Sequence, residues 1–181
     1  MSKFFVEIGA ANFETLLPLA KSGWSGIVVE PMPHFAAELR TLFSGMRVEV
    51  VEAAISDFNG NIDMHVSKNE DWVAGISHVA NANHMGVRLR ELDGNQELFV
   101  DTISVKCMTL DKLLSGVSVV DFMKVDVEGH ELNVFLDYSF RVKPTMIKVE
   151  HKHVDDWILA RKLQTNGYLV WTEKDDIYGV I

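Results

Sequence analysis

A group of acidic residues follows one strongly apolar segment of the chain. The run from Phe122 to Leu132 changes abruptly from apolar residues to Asp126, and Glu128, Gly129 and Glu131 come next. A buried parallel strand is typically a near-continuous hydrophobic run, and carboxylates at its end are costly to desolvate unless something binds or reacts there. Ligands of open α/β sheets sit at that end of the strands. The segment therefore predicts an enzyme site in which Asp126 faces the reacting groups and the residues after it shape the loop.

A second strand that ends in an acid and a glycine opens the chain. Glu7 and Gly9 close this predicted strand, and Ala10 and Asn12 follow. A glycine here lets the backbone turn tightly and approach a ligand. The next helix, which we expect Asn12 to cap, offers free N–H groups. Taken alone, the pattern is equally typical of a plain strand–turn–helix joint.

Glu30 indicates the kind of cofactor that such a turn would bind. It ends the second predicted strand, just before Pro31, and an acid about 20 residues beyond a glycine turn is where a ribose diol is hydrogen-bonded. The dinucleotide fingerprint is incomplete, because Ala11 and Phe13 stand where further glycines would accommodate a pyrophosphate. A nucleoside cofactor without phosphates fits better, and S-adenosylmethionine is the obvious one.

A third polar segment, with Ala54 and Asp57, follows the third predicted strand. In a nucleoside site, an acid at this place could accept a hydrogen bond from the exocyclic amine of adenine. The same Asp57 is equally typical of a turn residue before Asn59 and Gly60.

A fourth polar segment brings histidines to the end of the fifth predicted strand. His151 and His153 are candidates for a general base on an alcohol, because an imidazole titrates near operating pH; His130, His78 and His84 are weaker candidates. A pair at this spacing would put both rings on one face of an extended strand. A metal site is therefore an alternative, with Asp126 or Asp155 as a further ligand. We assign no metal.

The elements that must position these residues alternate between strand-like and helix-like segments. This alternation predicts an α/β, doubly wound sheet of mostly parallel strands, formed by residues 1–181 as a single domain. Segments 168–172 and 177–181 are expected as antiparallel edge strands. Regular patterns fade over residues 67–95, which we expect to act as a lid or substrate loop. Its Trp72, His78, Arg88 and Arg90 would then select the substrate.

Composition excludes several classes of protein. The net charge of −9 disfavours a binder of nucleic-acid phosphates. No apolar run approaches the ~20 residues of a membrane span, and the N-terminus lacks a signal-peptide pattern. A single cysteine, Cys107, cannot form an intramolecular disulfide, so a cytoplasmic location is expected.

The residues described above resemble the FkbM family of S-adenosylmethionine-dependent methyltransferases. The matching stretches run in family order: Phe5-Val-Glu-Ile-Gly-Ala10, Trp24-Ser-Gly-Ile-Val-Val-Glu-Pro31, Ala53-Ala-Ile-Ser-Asp57 with Gly60, Thr109-Leu-Asp111, Phe122 to Leu132, and Ile147-Lys-Val-Glu150. The stretch from Lys124 to Glu131 is the most family-specific. The resemblance implies the class I methyltransferase fold, a seven-stranded sheet whose last strand is antiparallel. It also implies methyl transfer to a hydroxyl oxygen, often of a sugar or secondary metabolite.

Carried over by position, the resemblance implies that Glu7, Gly9, Glu30 and Asp57 bind the cofactor and that Asp126 lies near the transferred methyl. The sequence departs from the family at Asn12-Phe13, where an acid or asparagine and then a glycine usually stand. The chain also starts almost at the first strand, so we expect the segment 67–95 or a second subunit to cover the site.

The expected function is therefore O-methylation of a sugar or small metabolite, with His151 or His153 as base and Asp126 as the positioning residue. No nucleic acid or membrane partner is expected, and a homo-oligomer is left open. A scaffold that keeps the fold without the chemistry is an alternative, and an NAD-dependent oxidoreductase is another. A nucleic-acid methyltransferase is disfavoured by the charge and by the lack of an Asn-Pro-Pro-Tyr-type motif.

Overall fold

The computed structural model describes residues 3–67, 78–79 and 99–181, which form two sheets and five helices. In chain order the elements are β1 (Phe4–Ile8), α1 (Leu17–Lys21), β2 (Ser25–Val29), α2 (Pro33–Leu42), β3 (Val48–Val51), β4 (Ala54–Ser56), β5 (Gly60–Ser67), β6 (His78–Val79), β7 (Phe99–Thr109), α3 (Leu110–Leu113), β8 (Phe122–Val125), α4 (Glu131–Leu136), β9 (Met146–Glu150), α5 (Asp156–Thr165), β10 (Leu169–Glu173) and β11 (Asp176–Val180).

The central sheet has seven strands in the order β10-β11-β9-β8-β1-β2-β3. Its strands β3, β2, β1, β8 and β9 are parallel, and their register aligns their ends: Ile8 lies beside Val29 on one side and Val125 on the other, and Val125 lies beside Val149. The residue that follows each strand therefore emerges at the same sheet edge. The predicted α/β, mostly parallel sheet is confirmed.

Helices cover both faces of this sheet, because successive strand residues point to opposite sides. On one face, Val6 and Ile8 of β1 share a buried core with Phe135 of α4 and Leu159 of α5. On the other face, Phe5 packs in a second core with residues of α1 and α2. Strands that are apolar on both sides are what a sheet between two helix layers requires.

A second, four-stranded sheet has the order β4-β7-β5-β6. It contains the predicted strands on either side of residues 67–95, and β4 pairs in parallel with the end of β7. The third polar segment, with Ala54 and Asp57, follows β3 of the central sheet, and its residues Ala54–Ser56 form β4 of the second sheet. The proposed lid falls largely outside the described residues, as do Trp72, Arg88 and Arg90, whereas His78 lies in β6.

Two local expectations are also corrected. Asn12 does not cap α1, because that helix begins five residues later, at Leu17, after Leu16; Asn12 lies instead in an exposed turn. The segment 177–181 is not an edge strand, because β11 lies antiparallel between β9 and β10, and β10 forms the edge. Among the described residues, no helix has the length and apolar character needed to cross a membrane.

Candidate active site

A cleft of about 670 Å³, a volume that includes space open to solvent, lies at the carboxyl edge of the central sheet. Five of the predicted site residues line it: Gly9, Glu30, Pro31, Ala54 and Asp126. They come from the ends of β1, β2 and β8 and from β4, so elements far apart in sequence meet there. A concave site at this edge is the usual ligand position in open α/β sheets.

Gly9 joins the loop after β1 to the loop after β8. Its φ is +78°, and a Cβ built on it would lie 1.8 Å from the carbonyl oxygen of Asp126. The Asp126 amide in turn donates to the carbonyl of Ile8 at 3.0 Å, and the Gly9 amide donates to Val29 at 3.0 Å. Only a residue without a side chain fits both this contact and this backbone conformation.

Glu30 is held by the backbone around it. One carboxylate oxygen accepts from the Ala11 amide and the other from the Met32 amide, both at 2.8 Å. The residue is only 4% exposed, and burial raises the pKa of its carboxyl to about 7 despite these two amides. Each oxygen keeps a further lone pair. Glu30 can therefore accept hydrogen bonds from a diol without losing its backbone partners.

Glu7, Ala10 and Asn12 are not among the residues that line the cleft. Glu7 is 1% exposed, and its Oε1 lies 3.6 Å from Lys124 Nζ with no hydrogen-bond partner within the described ranges. Burial raises the pKa of its carboxyl to about 7. Because Lys124 also contacts Asp126 at 3.0 Å, Glu7 is linked to the cleft through a charged neighbour and not by direct contact.

The loop that carries Asp126 is closed by Glu131. The buried carboxylate of Glu131 accepts from the amides of Val127 and Gly129, at 3.0 Å for Val127 and 3.1 to 3.2 Å for Gly129. Glu128 lies between these two residues with a φ of +51°. The interpretation of Glu131 as a residue that shapes the loop agrees with these contacts.

Glu128, which lines the cleft, lies close to Glu150 and His153, which are not among the lining residues. Each offers a ligand-type atom, and the three atoms lie within 4.8 Å of one another; His153 Nε2 is 3.5 Å from the Glu128 carboxylate. Burial, followed by the charges of Glu150, Asp126 and Glu131, raises the pKa of Glu128 to about 8. Burial and the charge of Asp126 raise the pKa of Glu150 to about 7. This group of residues can accept or release protons near neutral pH.

His151 and His153 contact different parts of the chain. Its Nε2 lies 3.2 Å from the carbonyl of Lys174, and its amide donates to Asp175 at 2.8 Å. Both partners belong to the turn between β10 and β11. The extended strand on which the two rings would share a face does not continue to these positions, because β9 ends at Glu150.

Asp57 does not line the cleft. Its carboxylate accepts a 2.8 Å hydrogen bond from the hydroxyl of Ser56, and the Ser56 Oγ lies 2.8 Å from His130 Nε2. His130 does line the cleft. The polar group that the structure brings to this wall is therefore an imidazole, where the sequence predicted a carboxylate.

Sequence reasoning missed most of the apolar lining, which includes Ala11, Phe13, Met32, Phe35 and Met64. Phe35 and Met32 come from the start of α2 and the turn before it, and Met64 comes from the second sheet. Phe35 recurs with Leu39 and Leu42 at helical spacing, but a pattern along one element does not tell which cavity a side chain lines. His130 stood inside the most informative segment of the chain, and that position was its only signal.

Comparisons with known proteins agree with this arrangement. The family described as "Methyltransferase FkbM domain" matches residues 7–170. The chain is similar in structure to the precorrin-6y C5,15-methyltransferase of Geobacter metallireducens GS-15, with a TM-score of 0.52, 12% identity and coverage of 98% of this chain and 78% of the other. It is also similar to the 16S rRNA N2 G1207 methyltransferase of T. Thermophilus, solved with AdoMet and guanosine, with a TM-score of 0.50, 10% identity and coverage of 98% and 37%. At these identities the likeness shows the fold alone, which is the class I methyltransferase fold. A search of curated proteins finds no match.

Proposed function

The chain belongs to the FkbM methyltransferase family, and from this premise we propose that it transfers a methyl group from S-adenosylmethionine to a hydroxyl of a sugar or other small metabolite. The observation that carries the proposal is the meeting of Gly9, Glu30 and Asp126 on one cleft at the carboxyl ends of three neighbouring strands. A small substrate is favoured over nucleic acid because the net charge is −9.

The described residues fit S-adenosylmethionine. Gly9 lets the loop after β1 pack directly against the loop that carries Asp126, and Glu30 has lone pairs to spare for two ribose hydroxyls. Met32 and Phe35 give the same cleft an apolar wall, which suits a planar base. When bound, the cofactor supplies an electrophilic methyl group on a sulfonium.

The other end of the cleft would bind and activate the acceptor. An alcohol is a poor nucleophile while protonated, so a base within hydrogen-bond reach should raise the rate. His153 suits this role better than His151, because His153 faces the Glu128 carboxylate on the cleft wall whereas His151 contacts the β10–β11 turn. Asp126 would hold the hydroxyl in line with the methyl, and this positioning supplies a large part of the rate.

Binding of the cofactor is the first test. Isothermal titration with S-adenosylmethionine, S-adenosylhomocysteine and NAD should show roughly micromolar affinity for the adenosyl ligands alone. Glu30→Ala should abolish this binding, because it removes the acceptor for the ribose and the partner of two amides. Glu38→Ala, at an exposed position of α2, is the matched control and should bind normally.

The titration also separates the alternatives. Binding of NAD without the adenosyl ligands would favour an oxidoreductase. Adenosyl binding without turnover over a broad panel of hydroxylated compounds would favour a scaffold that has lost its chemistry. If the purified protein bound none of the three ligands, the proposal would fail for the isolated chain.

The role of the base is tested by comparing two histidines that lie two positions apart. His153→Ala should lower turnover by about 10²-fold or more and leave the affinity for S-adenosylhomocysteine nearly unchanged. His151→Ala is the paired control and should retain most of the activity. Equal losses in both variants would remove His153 from its proposed role.

A further inference from the structure

His130 belongs to a short chain of polar groups that ends on the cleft wall. The hydroxyl of Ser56 donates to the Asp57 carboxylate at 2.8 Å, and the Ser56 oxygen lies 2.8 Å from His130 Nε2. Because the hydroxyl has a single hydrogen, which Asp57 already accepts, Ser56 can only accept from the imidazole. The Nε2 atom of His130 therefore carries the ring proton, and Nδ1 is left with a free lone pair.

The imidazole is also neutral under ordinary conditions. Burial lowers the pKa of His130 to about 4, against a smaller opposing effect of the Asp57 charge. With Nε2 protonated and the ring uncharged, Nδ1 is an acceptor and cannot act as a donor.

Within the described ranges, this acceptor has no hydrogen-bond partner. His130 is only 5% exposed, and within the part of the chain that the structure describes its Nδ1 is buried without a hydrogen bond. Buried polar atoms in native proteins are nearly always satisfied, and an exception calls for an explanation. Helix capping does not provide one, because His130 precedes α4 without forming a side-chain cap.

The chemistry of the cleft wall indicates what the missing donor is. Of the described lining residues, those with polar side chains are Glu30, Asp126, Glu128 and His130. The three acids are suited to ribose hydroxyls and to the end of the cleft where the methyl group would be transferred. The remaining wall beside His130 is apolar and includes Ala54, where an adenine ring would lie. An adenine presents one exocyclic donor, its C6 amine.

We infer that His130 Nδ1 accepts a hydrogen bond from the C6 amine of the cofactor's adenine, so that the cleft selects 6-aminopurine over 6-oxopurine nucleosides. The Ser56–Asp57 pair acts behind it, because it fixes the tautomer that leaves Nδ1 unprotonated. Nδ1 is covered by its neighbours, so the amine reaches it with a small shift of side chains along this wall. The inference rests on the proposed function, since it assigns one contact within the same cofactor site.

The test compares S-adenosylhomocysteine with S-inosylhomocysteine, in which a carbonyl replaces the C6 amine. The native chain should bind the adenosyl ligand at least about tenfold more tightly, the effect of one satisfied hydrogen bond. His130→Gln keeps a donor for Ser56 but removes the acceptor, so it should bind both ligands with similar affinity. His130→Asn places an amide oxygen near the Nδ1 position and should recover part of the preference.

A second measurement does not depend on a variant that folds. Long-range ¹H–¹⁵N spectra of the histidine rings should show a His130 Nδ1 signal typical of an unprotonated nitrogen. Addition of S-adenosylhomocysteine should move this signal, and addition of S-inosylhomocysteine should not. A residue with only a structural role would respond equally to both ligands.

The outcomes distinguish the inference from the proposed function. Three results would overturn the inference and leave the methyltransferase proposal intact, provided that the native chain binds the adenosyl ligands normally. These are no preference of the native chain for the amine, retention of the native preference in His130→Gln, and an Nδ1 signal that does not respond to the adenosyl ligand. Failure of the native chain to bind either adenosyl ligand would overturn the proposed function, and the inference with it.

Discussion

The two ends of the cleft are built in opposite ways. At the proposed cofactor end, Glu30 is buried, but both of its oxygens accept hydrogen bonds from backbone amides, and burial is what raises the pKa of its carboxyl. At the proposed acceptor end, Glu128 and Glu150 lie near each other and near Asp126, and these charges add to burial in raising the pKa values of both groups.

The contrast between the two ends indicates which parts of the site are already in place before a ligand binds. Glu30 is fixed by partners next to it in the fold, so this carboxylate is in place before the cofactor binds. The acids of the acceptor end repel one another, and proton uptake near neutral pH relieves that repulsion. Perturbed groups of this kind are typical of the place where chemistry occurs.

Gly9→Ala should have the largest effect, because Gly9 joins the two ends through its contact with Asp126. Gly45→Ala is a matched control: both glycines have nearly the same φ, +78° and +76°, but a Cβ at Gly45 would meet nothing within 4 Å. The control should cost about 1–2 kcal/mol of unfolding free energy for the backbone conformation. Gly9→Ala should cost roughly a further 1–3 kcal/mol for the overpacked contact. Denaturant unfolding measures both, and equal losses would contradict a special contact at Gly9.

The affinity for S-adenosylhomocysteine should depend on pH through Glu30. A diol donates to a carboxylate better than to a carboxylic acid, and the pKa of Glu30 is raised to about 7. Affinity should therefore increase from pH 6 to pH 8, by up to about tenfold, and level off above that. Titration calorimetry across this range measures the effect. Glu30→Gln should bind weakly with no such dependence, and a native affinity that falls over the same range would refute the role of Glu30.

Glu150→Gln should produce a smaller change, confined to the acceptor end. It removes a negative charge that raises the pKa of Glu128, so the Glu128 carboxylate becomes more stable and its pKa falls. Because the Glu128 carboxylate faces His153, the proposed base, the acidic limb of the pH profile of kcat should then move to lower pH. Glu49→Gln, at an exposed site on β3, should leave the profile in place. A shift toward higher pH would contradict the proposed repulsion.

Metal removal should have the smallest effect. The atoms of Glu128, Glu150 and His153 lie close enough to bind a cation, but the proposed mechanism uses His153 as a base and assigns no metal. Treatment with EDTA followed by dialysis should leave turnover unchanged. Loss of turnover, with recovery on addition of a divalent cation, would instead make these three residues metal ligands.

The sequence predicted what depends on local patterns. The strand Phe4–Ile8 has the predicted bounds, and α4 begins at Glu131, where a helix was predicted to begin. Apolar runs and spacing determine both. A capping residue of this kind is also a local signal: Thr109 caps α3, with its side chain accepting from the Lys112 amide at 3.3 Å. Gly9, Glu30 and Asp126 reached the cleft because parallel strands end at one edge.

The failures concern contacts between distant segments. No pattern around Asp57 shows that Ser56 and His130, 74 residues apart, would meet. The separation of His151 from His153 depends on the point at which β9 ends and on the β10–β11 turn that binds His151. Neither is encoded in the spacing of the two histidines.

The position of β11 between β9 and β10 has a consequence for synthesis of the protein. A ribosome releases β9 before β11, so the exposed edge of β9 has no neighbour until the last strand emerges. The turn that precedes β11 also holds the backbone of His151, two residues before His153. We therefore expect the nascent chain to acquire its acceptor end last, when the C-terminal hairpin docks, and to remain a target for chaperones until then.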